Sequence, residues 1–399
     1  MKIVLAYSGG LDTSVALKWL QINYQAEVIA FCANIGQPES FAEIETKALA
    51  AGASKVIIDD CRSEYLRDFV FKALQAGGLY EGRYLMAAPL GRPLIAKRLV
   101  EIAHQEQANA VAHGSTGKGT DQVRFYSGVV AHDPELQIIA PAIEWELKSR
   151  VDEIKYAQTH GVAIPIKPES PYSMDGSLWG TSTECGCIDD YGQSPPSDAY
   201  QITKSPFDAK DEPTDVCISF EQGIPVKIDG IAYPAIELVE KLNYLGGASG
   251  VGRVDIVENS LLGIKSRAIY ESPAGTILYK AHRELEDLVL DRDTLHFKTL
   301  VAHKYAELVY YGLWFSPLRH SLQAMVDHTQ SFVTGEITLR LYKGNVIVLK
   351  RESQFELFDH TLSSHDDNDR FDHPSGVGFA YIWSMPLRIA SHRANQHSN

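Results

Sequence analysis

Cysteine is scarce in this chain. Only 5 of its 399 residues are cysteine, and this odd, low number excludes a dense disulfide framework and favours a reducing compartment. Cys185 and Cys187 stand one residue apart, but no second pair follows at the spacing of a zinc site. We therefore predict no metal site built by cysteine and no structural metal.

Positive charge and long apolar runs are also lacking. Lys and Arg number 37 against 51 Asp and Glu, which gives a formal net charge of −14. A broad nucleic-acid interface needs a surplus of basic residues, so we expect no nucleic-acid partner. No apolar run reaches the length of a membrane span. The first residues indicate a strand that begins with a charged residue and continues with apolar ones, rather than a cleavable leader. We expect a cytoplasmic protein without a membrane partner.

The chain has instead the composition and length of a globular protein with two or three domains, at 45% hydrophobic and 22% charged residues. Apolar β-branched runs alternate with segments of helical spacing through the first third, which predicts a parallel sheet covered on both faces. The predicted strands are Ile3–Tyr7, Val28–Ala33, Lys55–Ile58, Ala108–His113 and Leu136–Ile139. The predicted helices are Leu11–Tyr24, Ser40–Ala51, Ser63–Gln75 and Arg92–Gln107.

A change of composition between residues 164 and 171 predicts a domain boundary, because prolines interrupt the pattern there. The segment Tyr172–Ser205 is rich in Gly, Ser and Asp, and we predict a long functional loop. A tail rich in Asp, His and Ser begins at Asp359. We therefore predict a nucleotide-binding domain at 1–165, a substrate-binding domain at 166–358 and a C-terminal oligomerisation arm at 359–399.

The pattern after Pro213 is α+β. A helix is predicted over Ala235–Leu245, ended by the pair Gly246-Gly247. Another is predicted over Leu295–Gly312, with its apolar residues on roughly one face. That face consists of Phe297, Leu300, Val301, Tyr305, Leu308 and Val309.

The stretch Ala6–Ser14, read Ala-Tyr-Ser-Gly-Gly-Leu-Asp-Thr-Ser, joins the first predicted strand to the first predicted helix. A helix N-terminus offers unpaired N–H groups and the positive end of a dipole, so a loop at this place binds anions. Its two glycines let the backbone approach a phosphate, and its Ser and Thr side chains add donors. Asp12 is expected either to cap the helix or to help hold Mg²⁺. The loop has no Walker lysine; it resembles the loop of ATP pyrophosphatases, which cleave ATP between the α and β phosphates.

A second Gly- and Thr-rich segment, His113–Phe125, follows another predicted strand. Its backbone N–H groups and its lysine are suited to phosphates, while Thr116, Thr120 and Asp121 are suited to the charged groups of an amino acid. Arg124 presents a planar fork that can bind a carboxylate through two hydrogen bonds. Because the carboxyl ends of parallel strands meet at one edge of a sheet, both segments are expected at that edge.

These segments resemble the argininosuccinate synthase family, and the resemblance covers nearly the whole chain. The second segment is similar to the family signature H-G-x-T-G-K-G-N-D-Q-V-R-F, with Thr120 in place of the asparagine. Further blocks resemble the family in its own order. They lie at 79–97, 173–186 and 252–271.

The resemblance implies a parallel-sheet α/β domain of the adenine nucleotide alpha hydrolase-like (Rossmann-like) type, then an α+β synthetase domain and an arm that joins a homotetramer. It implies an AMP-forming carbon–nitrogen ligase of arginine biosynthesis. The ureido oxygen of citrulline attacks the α-phosphate of ATP, pyrophosphate leaves with Mg²⁺, and the amine of aspartate displaces AMP from citrullyl-AMP to give argininosuccinate.

Residue roles also follow from the resemblance, position by position. The implied ATP contacts are Ala6, Tyr7, Ser8, Gly9, Gly10, Leu11, Asp12, Thr13, Ser14, Ala33 and Gly114. The implied contacts to citrulline and aspartate are Tyr84, Arg92, Thr116, Thr120, Asp121, Arg124, Ser173, Ser182, Glu258 and Tyr270. The implied catalytic residues are Ser8, Asp12, Lys118 and Asp121.

Three positions around the acceptor pocket depart from the family pattern. Thr120 lacks the paired donor and acceptor of an amide, Pro89 brings neither hydroxyl nor N–H where the family has serine, and Tyr126 replaces a glutamate. They leave open a paralogue that uses the same adenylation on another ureido-type acceptor or amine, and a catalytically silent nucleotide-binding subunit. A tRNA-modifying ATP pyrophosphatase is a further alternative, which the acidic net charge disfavours.

Overall fold

The computed structural model of the protein describes residues 1–162, 172–365 and 367–397. The chain divides into two compact units, Met1–Phe355 and Glu356–Asn399. The boundary predicted between residues 164 and 171 lies outside the described residues, so the division into 1–165, 166–358 and 359–399 stays a prediction. Within the described ranges, no helix is both long enough and apolar enough to cross a bilayer.

A five-stranded parallel sheet forms the first half of the larger unit, in the spatial order β3-β2-β1-β4-β5. Ile3 and Leu5 belong to one apolar cluster and Val4 to another, as side chains on alternate faces of a doubly covered sheet do. The predicted parallel sheet is confirmed. Its strands are β1 Lys2–Ala6, β2 Glu27–Asn34, β3 Lys55–Asp60, β4 Ala110–Ala112 and β5 Gln137–Ile139.

Helices connect and cover these strands. The helix predicted over Ser63–Gln75 is interrupted, because Tyr65–Val70 adopts a π-helical turn between two α-helical pieces. The helix predicted from Arg92 begins earlier: Pro89 stands in its first turn, where the missing N–H would have no partner within the helix anyway. The helices of this half are α1 Leu11–Asn23, α2 Phe41–Ala51, α3 Arg62–Glu64, α4 Phe71–Ala76, α5 Ala87–Gln105, α6 Thr120–Val130, α7 Pro141–Glu144 and α8 Arg150–Thr159.

Two antiparallel sheets and four longer helices form the second half, which confirms its predicted α+β character. The sheets have the orders β11-β12-β7-β6 and β10-β9-β8-β13-β14. The strands are β6 Ser173–Ser177, β7 Gly180–Glu184, β8 Thr214–Glu221, β9 Ile224–Ile228, β10 Ile231–Ala232, β11 Arg253–Asn259, β12 Lys265–Glu271, β13 Gly335–Tyr342 and β14 Asn345–Glu352. The helices are α9 Ala235–Ala248, α10 Pro273–Val289, α11 Arg292–Tyr310 and α12 Pro317–Thr329.

Buried contacts fix the β6–β7 hairpin against the first half. The backbone N–H of Leu178 donates to the carbonyl of Ile35, just beyond β2, at 2.8 Å. The indole N–H of Trp179, which is fully buried, donates to the carbonyl of Leu85 at 3.1 Å. This packing places the four-stranded sheet at the carboxyl edge of the parallel sheet.

The smaller unit contains α13 His360–Ser363, α14 His373–Trp383 and α15 Met385–His397. None of the described side chains of α14 is buried within it. Phe379 and Trp383 stack on each other, with ring centroids 5.5 Å apart, and both remain exposed. The role of this unit as an oligomerisation arm stays a prediction.

Some features of the second half differ from what the sequence pattern indicated. The first residues of the predicted loop Tyr172–Ser205 form β6 and β7, because backbone pairing such as Asp175 with Ser182 needs no apolar periodicity. In α11, Phe297 and Leu300, two of the apolar residues predicted to share one face, are 55% and 67% exposed. The other predicted members of that face are buried. They are Val301, Tyr305, Leu308 and Val309.

The end of α9 also differs from the prediction. The helix continues through Gly246 and Gly247 to Ala248 instead of ending before them. A Cβ at Gly246 would lie 2.9 Å from the Cβ of Pro273, and one at Gly247 would lie 2.5 Å from the carbonyl oxygen of Ile202. The two glycines therefore allow close packing inside the helix.

Candidate active site

Hydroxyl groups close the loop between β1 and α1. The hydroxyls of Tyr7 and Ser14 are 2.8 Å apart, and those of Ser8 and Thr13 are 3.2 Å apart. Burial is the main cause that raises the pKa of Tyr7, so its hydroxyl remains a proton donor at neutral pH. The loop is therefore stabilised by hydrogen bonds between its own side chains.

The backbone of this loop is suited to an anion. Gly9 has φ +79°, and a Cβ there would lie 3.0 Å from Cγ1 of Ile44, so glycine is required. Gly10 is the N-cap of α1 and provides no side-chain capping bond. The first N–H groups of α1 therefore remain available to an acceptor such as a phosphate oxygen.

Asp12 lies in the first turn of α1 but does not cap it, because the N-cap position belongs to Gly10. Of the two roles expected for Asp12, only the binding of Mg²⁺ is left as a prediction. Its carboxyl lies beside that of Glu153 on α8. Burial first, and then a hydrogen bond and the charge of Asp12, raise the pKa of Glu153 to about 8. The buried Oε2 of Glu153 has no hydrogen-bond partner among the described residues. Two carboxyl groups at a phosphate loop match the oxygen ligands that divalent cations prefer.

The second loop, after β4, abuts the first. A Cβ at Gly114 would lie 3.1 Å from Cγ2 of Thr13, and β4 pairs directly with β1. The order of the sheet changes direction between these two strands, which is where open α/β sheets bind ligands. Ala33 is the penultimate residue of β2, which pairs with β1 on the other side. The structure thus brings the predicted nucleotide contacts to one edge.

His113 anchors the start of this second loop in a neutral form. Its Nδ1 accepts a hydrogen bond from the N–H of Ser115 at 3.3 Å, and its ring stacks on Phe125 at 5.2 Å. Burial lowers the pKa of His113 to about 4. The loop then turns through a bond from the N–H of Gly119 to the carbonyl of Thr116 at 3.1 Å and enters α6.

Two arginines hold Asp121 at the start of α6. Nη1 of Arg124 donates to Oδ1 of Asp121 at 2.6 Å, and Nε of Arg92 donates to Oδ2 at 2.8 Å. Arg92 also donates to Asp175 on β6 at 2.5 Å. Burial alone would raise the pKa of Asp121, but the two guanidinium groups hold it well below its usual range. Asp121 is therefore a permanent carboxylate at neutral pH.

Tyrosines and a second carboxylate line the other side of this pocket. Tyr84 and Tyr270 stack with ring centroids 3.6 Å apart, and Ser182 on β7 pairs with Tyr270 on β12. Oε1 of Glu258 accepts a hydrogen bond from Tyr310 at 2.7 Å, while its buried Oε2 has no partner in the described part of the chain. An unsatisfied buried acceptor is costly, so this oxygen points to a ligand donor.

Some predicted residues lie at the margin. Ser173 is exposed at the start of β6, opposite Glu184. Lys118 is exposed in the second loop. The hydroxyl of Thr120 accepts a long hydrogen bond, 3.5 Å, from the N–H of Leu261 in the β11–β12 turn.

Sequence analysis missed three residues of this pocket: Asp175, Glu184 and Tyr310. Burial, together with the charges of neighbouring carboxylates, raises the pKa of Glu184 to about 7. Tyr310 was missed because α11 shows only the apolar spacing of a core helix. Asp175 and Glu184 stood inside a block that resembles the family, but no local pattern marked them. Pairing between strands brings them to the pocket.

The fold and these loops define a nucleotide-binding α/β protein whose second half completes a charged pocket beside the nucleotide. The family model for the arginosuccinate synthase N-terminal HUP domain matches residues 2–163. The model for the arginosuccinate synthase C-terminal domain matches residues 172–390. The predicted α/β fold class is thereby confirmed.

Curated relatives agree over the full length. The argininosuccinate synthase of Caldanaerobacter subterraneus subsp. tengcongensis is 52% identical over 97% of this chain and 95% of its own length. That of Rhodococcoides fascians is 52% identical over 97% of this chain and 98% of its own length. That of Bacillus licheniformis is 49% identical over 98% of this chain and 96% of its own length. The chain belongs to the argininosuccinate synthase family.

Proposed function

We propose that this protein joins citrulline and aspartate to argininosuccinate with ATP, releasing AMP and pyrophosphate. The main structural support is the close approach of Gly114 to Thr13. It sets the two proposed phosphate-binding loops side by side at the edge where the charged pocket opens. Identity of about half the residues over nearly the whole of several synthases favours this function over a paralogue with another acceptor or a silent nucleotide-binding subunit.

The first loop binds the phosphates of ATP. The N–H groups at the start of α1 and the hydroxyls of Ser8 and Thr13 donate to phosphate oxygens, while Ala33 and Gly114 border the nucleotide. Asp12 and Glu153 would hold Mg²⁺, since the unpartnered Oε2 of Glu153 and the neighbouring carboxyl form a donor set for a hard cation. When bound, Mg²⁺ stabilises the negative charge of the departing pyrophosphate.

The tyrosine-lined pocket binds citrulline. Arg124 offers its planar guanidinium to the α-carboxylate, and Oε2 of Glu258 accepts an N–H of the substrate. Ser173, Ser182 and the stacked rings complete the contacts. Holding the ureido oxygen close to the α-phosphate supplies much of the rate, since effective molarities on the order of 10⁵ M or more are attainable.

The second loop binds aspartate. Thr116 and Thr120 donate to its carboxylates, with Lys118 close to the phosphates, and the negative charge of Asp121 attracts its amine. Because two arginines keep Asp121 ionised, this residue orients the amine electrostatically and does not exchange a proton with it near neutral pH. This refines the catalytic role expected for Asp121.

The test uses the full chain with ATP, aspartate and citrulline labelled with ¹⁸O in the ureido group. We expect AMP, pyrophosphate and argininosuccinate in equal amounts, with the ¹⁸O label in AMP. ADP as product, or AMP without label, would overturn the proposed chemistry. Replacement of citrulline by other ureido compounds under the same conditions tests the paralogue directly, and the silent subunit predicts no AMP at all.

The protein is also proposed to work as a cytoplasmic homotetramer without nucleic acid. The exposed apolar side chains of α14 and α15, among them Trp383 and Leu387, support a role for the smaller unit in assembly. Light scattering of the full chain and of the variant Trp383→Ser measures the mass. A monomeric full chain would contradict the tetramer, and an RNA gel shift at moderate salt tests the absence of a nucleic-acid partner.

A further inference from the structure

Tyr310 is buried between two charged residues of the pocket. Its hydroxyl donates to Oε1 of Glu258 at 2.7 Å, and its carbonyl accepts from Nε of Arg124 at 2.9 Å. The guanidinium carbon of Arg124 lies 4.7 Å from the centre of its ring. The ring of Tyr80 also stacks on the ring of Tyr310, with centroids 3.5 Å apart.

We infer that Tyr310 is a positioning residue for citrulline: it holds the Arg124 guanidinium and the Glu258 carboxylate in register and favours the ionised form of Glu258. The inference rests on the proposed function, in which both charged residues contact citrulline. It adds a residue from α11, which carries no motif of the site.

The end of α11 explains the contact with Arg124. Tyr310 is the last residue of the helix, so its carbonyl has no partner within the helix and carries the negative end of the dipole. Gly312 follows with φ +77°, and a Cβ there would lie 2.8 Å from Cα of Arg124. This close approach brings the free helix end onto the guanidinium. The carbonyl and the ring together leave Arg124 little freedom to rotate.

The hydroxyl contact acts on the charge of Glu258, which is 4% exposed. Burial raises the pKa of Glu258, whereas the hydrogen bond from Tyr310, the neighbouring hydroxyl of Tyr270 and the charge of Arg124 lower it. Burial also raises the pKa of Tyr310, so its hydroxyl stays a donor.

Other titratable groups face Glu258 as well. They are Glu81, which raises its pKa, and Tyr80, Tyr84 and Glu184, whose own pKa values it raises. Removal of the Tyr310 hydroxyl takes away one of the few favourable contacts and leaves the others in place. The pKa of Glu258 must then rise, and the neutral acid can no longer serve as an ionic acceptor at Oε2.

The experiment compares Tyr310→Phe with Tyr305→Phe. Tyr305 lies in the same helix, is fully buried, and donates to Oε1 of Gln323 at 2.6 Å, away from the pocket residues. Both variants lose one buried hydroxyl, so a merely structural role predicts similar changes in both. Thermal unfolding of each variant measures that shared effect.

We expect Tyr310→Phe to raise the KM for citrulline roughly tenfold, the usual effect of a lost hydrogen bond to a charged group, and to leave the KM for ATP unchanged. The acid limb of kcat/KM for citrulline should move to higher pH. In the background Glu258→Gln, that shift should disappear, since the titrating group is gone. Tyr305→Phe should change neither the KM nor the pH profile.

An unchanged citrulline KM and acid limb in Tyr310→Phe, with the same loss of thermal stability as in Tyr305→Phe, would overturn the inference. Failure of the proposed function is distinguishable, because it would show as absent argininosuccinate formation by the unsubstituted protein. Calorimetric titration of citrulline against pH then tests the inference without turnover: a shifted profile in Tyr310→Phe supports it, and an unshifted one contradicts it.

Discussion

Arg92 on α5 and Asp175 on β6 form an ion pair of 2.5 Å between the two halves of the larger unit. The same guanidinium donates to Asp121 at 2.8 Å. One side chain therefore ties the second loop to the four-stranded sheet that lines the pocket proposed for citrulline. We expect the relative position of the two amino-acid substrates to depend on this bridge.

Substitution Asp175→Asn should weaken the bridge and raise the KM for both amino acids by roughly three- to tenfold, because Arg92 loses an anionic partner in a partly buried pair. The KM for ATP should not change. The matched control is Asp59→Asn, which removes one of the two anionic partners of Arg98, the other being Glu101, at a comparable exposure outside the pocket. Equal KM values in Asp175→Asn and the unsubstituted protein would contradict the coupling.

The alanine variant of Gly9 tests the first loop. The residue has φ +79°, and a Cβ would meet Ile44 at 3.0 Å, so Gly9→Ala should raise the KM for ATP by on the order of tenfold or more through displacement of the loop. Gly230→Ala is the control, since that glycine has φ +76° with nothing within 4 Å of a Cβ. Both carry a backbone penalty of roughly 1–2 kcal/mol.

Thermal unfolding should show the shared backbone penalty in both glycine variants and a further loss in Gly9→Ala from the contact with Ile44, whereas ATP kinetics should be impaired in Gly9→Ala alone. If Gly230→Ala impaired ATP use as strongly, the effect would be general destabilisation rather than loop geometry.

The two Gly-rich loops were predictable because the residues that suit them to phosphate are neighbours in the sequence. Gly9, Gly10 and the surrounding hydroxyls must stand together in sequence to form one helix N-terminus, and apolar alternation marked the parallel sheet. The resemblance to a known family then placed pocket residues such as Glu258 that no local pattern identifies.

The remaining features depend on contacts between distant parts of the chain. Tyr310 contacts Arg124 although the two residues are 186 positions apart in the sequence. No pattern within α11 indicates this contact. Asp12 turned out to face Glu153 of α8, a partner invisible from the loop itself. The exposure of Phe297 and Leu300 was also unpredictable, because an apolar helical stripe does not reveal which part of it is covered.

Thr116→Val should separate the two halves of the reaction. The substitution keeps the volume but removes the hydroxyl proposed to bind aspartate, so the KM for aspartate should rise by about tenfold. Exchange of labelled pyrophosphate into ATP, dependent on citrulline alone, should persist. Thr46→Val on α2, whose hydroxyl bonds within its own helix, is the control. Loss of the exchange reaction in Thr116→Val would place this residue in the adenylation step instead.

Glu153 predicts an unusual dependence of stability on pH. Burial and the carboxyl of Asp12 raise the pKa of Glu153 to about 8, from a model-peptide value of 4.5. The folded protein therefore binds more protons than the unfolded chain between these values, and this contribution to stability is complete below about pH 4.5 and lost as the pH rises through 8. The melting temperature of the unsubstituted protein should fall across this window relative to Glu153→Gln.

Exposed Glu135, changed to Gln, is the control and should leave the slope unchanged. MgATP should remove the slope in the unsubstituted protein, because a bound divalent cation replaces the proton on Glu153. If the melting temperatures of Glu153→Gln and the unsubstituted protein changed in parallel from pH 5 to pH 8, Glu153 would not have a raised pKa in the folded protein. A slope that MgATP leaves in place would show that the pair binds no cation, so the two measurements separate the electrostatic claim from the proposed metal site.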